Sequence, residues 1–111
     1  DVASVTRRYS FTALLDDSRG HTWDCFVSVH GSIDPVTGMV TDIGALDRLV
    51  RERVIRICDR QNLREVLKMA SISGAHLAEF IWNSLVSGVS SGALKNIRLV
   101  QTRDLSFDYN G

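Results

Sequence analysis

The stretch DPVTGMVTDIGAL, Asp34 to Leu46, separates two kinds of hydrophobic pattern. Within it, Pro35 fixes one turn dihedral and Gly38 supplies the positive φ that ends a turn, so the chain changes direction here. Before this stretch apolar residues alternate with polar ones, and after it they recur every three or four residues. The change of period predicts that strands end here and that a helix begins.

The segments before the turn, Val5–Ala13 and Thr22–Gly31, predict two strands with one apolar face each. Their apolar residues share one parity: Val5, Tyr9, Phe11 and Ala13 in the first, and Trp23, Cys25, Val27 and Val29 in the second. The intervening DDSRG is typical of a short polar loop, so the two strands are expected to pair antiparallel.

Two helices are predicted after the turn. The first starts at Asp42, is capped by Thr41 or Asp42, and runs for four to five turns. Its apolar stripe is Ile43, Leu46, Val50, Val54 and Ile57. The second starts after Ser71 or Ser73 and ends at the SGVSSG run. Its stripe is Leu77, Ile81 and Leu85.

The last segment returns to alternation and predicts two more strands around a turn at Arg103 and Asp104. Ile97, Leu99 and Gln101 share one parity, which Leu105, Phe107 and Tyr109 continue. The order β-β-α-α-β-β predicts an α+β fold, a four-stranded antiparallel sheet with two helices on one face. Its open strand edges are expected to be paired or protected, which favours assembly.

Composition limits the class of protein. The 111 residues fit one domain, and the 13 basic and 13 acidic residues cancel, so no excess charge points to nucleic acid or to an anionic membrane. No apolar run is long enough to cross a bilayer, and the first residues lack the features of a signal peptide, so we expect a cytoplasmic protein. Cys25 and Cys58 lie in apolar segments and are expected to be buried thiols.

Several strings occur in the order and spacing of a known family: GHTW at Gly20–Trp23, TGMVTDIGAL at Thr37–Leu46, CDRQNL at Cys58–Leu63, AHLAEFIW at Ala75–Trp82 and VQT at Val100–Thr102. Together they resemble the 6-pyruvoyltetrahydropterin synthase and 6-carboxytetrahydropterin synthase family. The resemblance covers nearly the whole chain. It implies the T-fold, whose subunits join edge to edge into a barrel, here expected as a homo-oligomer, a hexamer formed as a dimer of trimers.

The family's zinc site is changed in this chain. The family holds zinc with three histidines, one on the first strand and two in an HGH motif, whereas the matching positions here are Leu15, Arg19 and His21. Leucine has no donor atom, and a guanidinium has no lone pair free for a metal. One imidazole cannot make the three-ligand site of a catalytic zinc, so no metal or other cofactor is expected.

The family's acid-base residues are changed in the same direction. No cysteine precedes Arg19, where the family has its catalytic cysteine, and Cys25 is interpreted as strand packing. The LDH motif becomes Cys58-Asp59-Arg60, which keeps the aspartate and replaces the histidine. An arginine with a pKa above about 12 cannot exchange a proton at useful rates near neutral pH. No catalytic residue is therefore assigned.

Residues that match the family's pterin-binding motifs are retained in part. Gln101 replaces the glutamate that anchors the pterin, Thr102 is kept, and Ser73 keeps a hydroxyl in the helix-start motif. An amide offers one acceptor oxygen and an NH2 donor where a carboxylate offers only acceptors. Backbone pairing is an equally good explanation for Gln101.

Arg19 and Arg60 stand where the family has histidines and could bind a carboxylate or phosphate of a pterin-like ligand. Alternatively, both are solvated or paired with Asp16, Asp17 or Asp59. His30 and His76 are not assigned to a site.

The sequence therefore predicts a family member that binds a pterin-like small molecule at a subunit interface without the family's reaction. The candidate ligand-binding residues are Gln101, Thr102, Ser73, Arg19, Arg60, His21 and Asp59. Two alternatives stay open. One is a metal-independent enzyme that uses Asp59 as base and an arginine as anion partner. The other is a structural subunit of a T-fold oligomer.

Overall fold

A computed structural model describes residues 2–15 and 20–111. The strands are β1 (Val2–Leu14), β2 (Gly20–Ser32), β3 (Ala93–Thr102) and β4 (Leu105–Tyr109). Helix α1 runs continuously over residues 43–58 as Ile43–Val50, a π-helical turn Arg51–Ile55, and Arg56–Cys58. Helices α2 and α3 are Leu63–Leu67 and Gly74–Leu85. The predicted loop DDSRG lies mostly outside the described residues.

The sheet is antiparallel with strand order β1-β2-β3-β4, which confirms the α+β fold predicted from the sequence. Strand β2 is central, and its odd-numbered side chains form the middle of the core: Trp23, Cys25, Val27 and Val29 are all fully buried. On β1 only Phe11 and Ala13 are buried. The helices cover this odd-numbered face. Strands β1 and β4 form the two edges of the sheet.

The π-helical turn changes which residues of α1 face the core. The predicted stripe holds as far as Val54, but Ile57 is 43% exposed and Cys58 is fully buried in its place. In the turn the Arg56 N–H donates to the Arg51 carbonyl, an i to i+5 bond that takes up one residue more than an α-helical bond. The inward position after the turn therefore moves by one residue, and the prediction for Ile57 was wrong.

Helix α2 was not predicted. The Asn62 side chain caps it by accepting from the Arg64 N–H at 3.0 Å, and Lys68 ends it in the left-handed region at φ 57°. Leu63 is its only fully buried residue among those described. Five residues with one buried side chain are too few to show a helical period in a sequence.

The chain between α1 and α2 lies along the outer edge of β1. The Thr12 N–H donates to Asp59 Oδ1 at 3.0 Å, and the Thr12 carbonyl accepts from the Arg60 N–H at 2.6 Å. Two residues further on, the Leu14 N–H donates to the Gln61 carbonyl at 2.9 Å. This edge segment, residues 59–62, satisfies the backbone groups that β1 directs away from β2 at its end. The predicted hexamer stays a prediction.

Cys25 and Cys58 are buried free thiols, as their positions predicted. Burial raises the pKa of each to about 12. Both are therefore protonated near neutral pH and act as small apolar side chains.

An ion-pair cluster joins the first strand to α1. Arg7 donates to both carboxylate oxygens of Asp47 at 3.0 Å, and the Tyr9 hydroxyl donates to Asp47 Oδ1 at 2.6 Å. The bonds from Arg7, and then that from Tyr9, lower the pKa of Asp47. Burial, and then the bond to Asp47, raises the pKa of Tyr9.

This cluster predicts a pH-dependent part of the stability. Because the folded state depresses the pKa of Asp47, its contribution is complete above the unfolded value of about 3.9 and is lost as the pH falls through the folded value. We expect Asp47→Asn to lower the Tm by a few degrees at pH 7. The difference from wild type should shrink as the pH falls below about 4 in thermal unfolding followed by circular dichroism.

Glu52→Gln is the control, since Glu52 is an exposed carboxylate on α1 with no ion pair among the described residues. A Glu52→Gln protein that lost as much stability as Asp47→Asn, or a difference that did not shrink at low pH, would contradict the assignment.

Candidate functional site

The predicted site residues lie around one end of the sheet, where β1 and β3 end and β2 begins. His21 stands opposite Ala13 of β1 and follows the described start of β2. Gln101 lies near the end of β3 and Thr102 is its last residue. Asp59 and Arg60 belong to the edge segment on β1, and Ser73 precedes α3. Arg19 lies outside the described residues.

One contact joins two of the predicted residues directly. His21 Nε2 is hydrogen-bonded to the backbone carbonyl of Gln101. A carbonyl only accepts, so Nε2 carries the proton in this contact. The His21 ring also packs edge-on against Trp23, with ring centroids 5.0 Å apart and planes at 67°. His21 is thereby fixed between a strand end and the core.

A bulge places Gln101 outside the regular strand pairing. Val100 pairs with Ser106 and Thr102 pairs with Leu105, so Gln101 is the extra residue on β3. Its side chain is half-buried and has no hydrogen-bond partner among residues 2–15 and 20–111. The amide is therefore available to a ligand, with one acceptor and one donor group.

The neighbouring residues have structural partners. The Thr102 hydroxyl accepts from the Asp104 N–H at 3.3 Å within the β3–β4 turn. The Ser73 N–H donates to His76 Nδ1 at 3.0 Å, a reciprocal contact at the start of α3. Asp59 accepts a hydrogen bond from the backbone N–H of Thr12 on β1, as described above. Within the described part of the chain, no hydrogen bond connects these side chains to His21 or Gln101.

Arg60 is exposed and has a backbone φ of 61°, a conformation that residues other than glycine rarely adopt. The backbone bond to Thr12 holds this conformation, because it ties Arg60 to the strand edge. Whether Arg60 binds an anion together with Arg19 stays a prediction.

The histidine positions do not fit the family's metal site. Leu15 packs against the hydrophobic core and has no donor atom, and His21 Nε2 is occupied by the Gln101 carbonyl. In the described ranges no group of three or more His, Cys, Asp or Glu side chains is placed to hold one metal ion. Of the two unassigned histidines, His30 is exposed and His76 caps α3.

Sequence reasoning missed Phe107 as a neighbour of the site. Phe107 pairs with Leu99, two residues before Gln101 on the same face of β3, and its ring lies on Gly74 at the start of α3. A Cβ on Gly74 would stand 2.2 Å from the ring atom Cε2. The inward parity of Phe107 was visible in the sequence, but the close approach of a glycine to it was not.

Comparisons with known proteins point to one family. The family model for 6-pyruvoyl tetrahydropterin synthase matches residues 16–111. The 6-pyruvoyl tetrahydrobiopterin synthases of Pongo abelii and Homo sapiens are 31% and 30% identical over 133 aligned residues, which cover 98% of this chain and 92% of each relative. The alignment is longer than the chain, so it includes positions where this chain has no residue.

Solved structures confirm the fold. The 6-pyruvoyl tetrahydropterin synthase of Caenorhabditis elegans superposes with a TM-score of 0.88 at 23% identity, covering all of this chain and 96% of that one. A catalytic-residue mutant of the Plasmodium vivax enzyme gives 0.75 at 12% identity, covering all of this chain and 98% of that one. In the described part of the chain, no helix is both long and apolar enough to span a membrane.

The Gly74 contact predicts a clash that a second substitution relieves. Gly74→Ala puts a methyl group into the Phe107 ring and should destabilise the protein by about 1–3 kcal/mol. Phe107→Ala in the same chain should relieve most of this clash, because it removes the ring atoms Cδ2 and Cε2 that the new methyl group would meet. Urea unfolding of the two single variants and the double variant measures this coupling.

Gly44→Ala is the matched control. Gly44 is also helical, and a Cβ there would come no closer than 3.4 Å to another atom, so the change should be neutral or stabilising. If the effects of the Gly74 and Phe107 substitutions on the free energy of unfolding were additive in the double variant, the predicted clash between them would be contradicted.

Proposed function

Since this chain belongs to the 6-pyruvoyl tetrahydropterin synthase family, we propose that it binds a pterin-like small molecule without carrying out the family's zinc-dependent reaction. The contact between His21 Nε2 and the Gln101 carbonyl carries the proposal. It occupies the nitrogen of the one retained histidine, and it belongs to a bulge that leaves the Gln101 amide open. One contact thus argues against a metal and for a ligand-binding edge.

The proposed absence of zinc rests on the chemistry of the ligand atoms. A zinc ion needs a lone pair on each ligand atom, but His21 Nε2 carries a hydrogen that it donates in its bond to the Gln101 carbonyl. Leu15 supplies no donor atom at the first-strand position. Binding zinc at His21 through Nε2 would require the contact to Gln101 to break.

The loss of the reaction is supported by the acid-base residues. Arg60 stands where the family has a histidine, and a guanidinium cannot exchange a proton at useful rates near neutral pH. Asp59 Oδ1 accepts from the Thr12 N–H at 3.0 Å, so one oxygen of this carboxylate has a structural role at the strand edge. The alternative of a metal-independent enzyme would have to use the other oxygen, Oδ2, as the base.

The ligand-binding part rests on the amide of Gln101. A pterin presents ring N–H and amino donors beside a carbonyl acceptor, and an amide matches that mixed edge with one acceptor and one donor. Phe107 and the start of α3 border the same face of the sheet as Gln101. Ser73 and Thr102 are proposed as further contacts, at the helix start and at the strand end.

The metal content of the purified protein tests the first part. We expect well below one zinc per chain by inductively coupled plasma mass spectrometry, and no gain after incubation with zinc and desalting. A stoichiometric zinc ion that His21→Ala removes would contradict the proposal. Incubation with dihydroneopterin triphosphate, with and without zinc, should give no product above the uncatalysed rate.

Ligand binding is tested with neopterin by isothermal titration calorimetry. Gln101→Ala should weaken binding about tenfold, since hydrogen bonds to a buried ligand edge are worth about 1–2 kcal/mol. Asn110→Ala is the matched control, because it removes an exposed amide from the chain that follows β4. Equal affinities for wild type and Gln101→Ala, or no binding by wild type, would contradict the assigned site.

A further inference from the structure

The even-numbered face of the sheet has no covering layer in the described residues. Every even-numbered side chain of β1 from Val2 to Thr12 is exposed, whereas the odd-numbered residues of β2 from Trp23 to Val29 are fully buried. Pairs of polar side chains run across this open face. Examples are Thr6 with Ser28 at 2.7 Å and Ser10 with Asp24 at 2.5 Å.

Phe26 is the aromatic residue on this polar face. It stands directly opposite Arg8 on β1 and directly opposite Arg98 on β3, so a cation lies on each side of it across the sheet. Among residues 2–15 and 20–111, no other aromatic ring and no guanidinium stacks on Phe26. Isolated apolar side chains on a protein surface are ordinary, so the significance of Phe26 depends on the shape of the surface around it.

A depression surrounds Phe26. Its volume is about 420 Å³, and it is lined by Phe26, Val100, Thr6, Ser28, Asn96 and Arg98. This volume lies in the range of small-molecule sites. Phe26 and Val100 supply its apolar lining, and the four polar residues, here called the rim, supply hydrogen-bonding groups. This mixture suits a ligand with a flat apolar face and polar edges.

Contacts outside the depression hold its rim in place. Asp108 accepts from Asn96 Nδ2 at 2.9 Å and from Arg98 Nε and Nη2 at 3.0 and 3.3 Å. Arg98 Nη1 and the Asn96 side-chain oxygen have no partner in the described part of the chain. The rim therefore offers a fixed cationic donor and an amide acceptor without first having to order them.

Arg8 adds a second available cation. Its guanidinium approaches Asp24 only at 3.8 Å, and its side chain is 63% exposed. An ion pair this long and this exposed is weak, so Arg8 can turn towards an anion near Phe26 at little cost.

We infer that the depression around Phe26 binds a planar heteroaromatic anion, whose ring stacks on Phe26 and whose anionic group is held by Arg98 and Arg8. This site lies on the opposite face of the sheet from His21, whose Nε2 contacts the Gln101 carbonyl, because even-numbered and odd-numbered residues of β2 point to opposite faces. It does not depend on the proposed pterin site.

Adenosine monophosphate is the probe, with adenosine and inorganic phosphate as its separated parts, titrated calorimetrically into the full chain at 50 mM salt. Wild type should bind adenosine monophosphate more tightly than either part. Phe26→Leu should weaken binding about tenfold, as expected for a lost stacking contact. Phe26→Tyr keeps the ring and should retain binding.

Two further variants separate charge and location. Arg98→Gln should weaken the binding of adenosine monophosphate but leave that of adenosine unchanged, and Gln101→Ala should change neither. No binding by wild type, equal binding by Phe26→Leu and Phe26→Tyr, or loss of binding in Gln101→Ala alone would overturn the inference. Circular dichroism confirms that each variant is folded.

Discussion

Strand β2 has one buried apolar face and one polar face, and this alternation constrains how the rest of the sheet can pair. Trp23, Cys25, Val27 and Val29 are fully buried, and β2 pairs with a neighbour on each side. A shift of one residue in either pairing would move these side chains to the open face and bring Asp24 and Ser28 into the core. The cost of burying that polar set fixes the register of the sheet, and the register decides which side chains meet at its end.

The strands and the long helices could be predicted because their signals are local and periodic. The alternation on β2 and the stripe of α3, from Leu77 to Leu85, each repeat often enough to be read in the sequence. The π-helical turn, helix α2 and the edge segment have no such signal. They depend on what the chain meets after folding, such as the Thr12 backbone that holds Asp59 and Arg60.

The candidate site shows the same division. Its residues were found by resemblance to the family, but their partners were not. The sequence does not show that His21 is bonded to the carbonyl of Gln101 rather than to a side chain, because that contact spans 80 residues and depends on the bulge in β3. Phe107 was missed for a related reason, since its importance comes from a glycine on another element.

The edge segment also limits what can be added to the sheet. In an antiparallel strand, alternate residues direct both backbone groups away from the partner, and on β1 these are the even-numbered ones, as Thr12 and Leu14 show. Residues 59–62 already occupy the last two, so the donors and acceptors left along this edge are those of residues 2–10. A neighbouring strand that extends β1 must stop before Thr12. The edge segment therefore limits the length and the register of any subunit contact made at that edge.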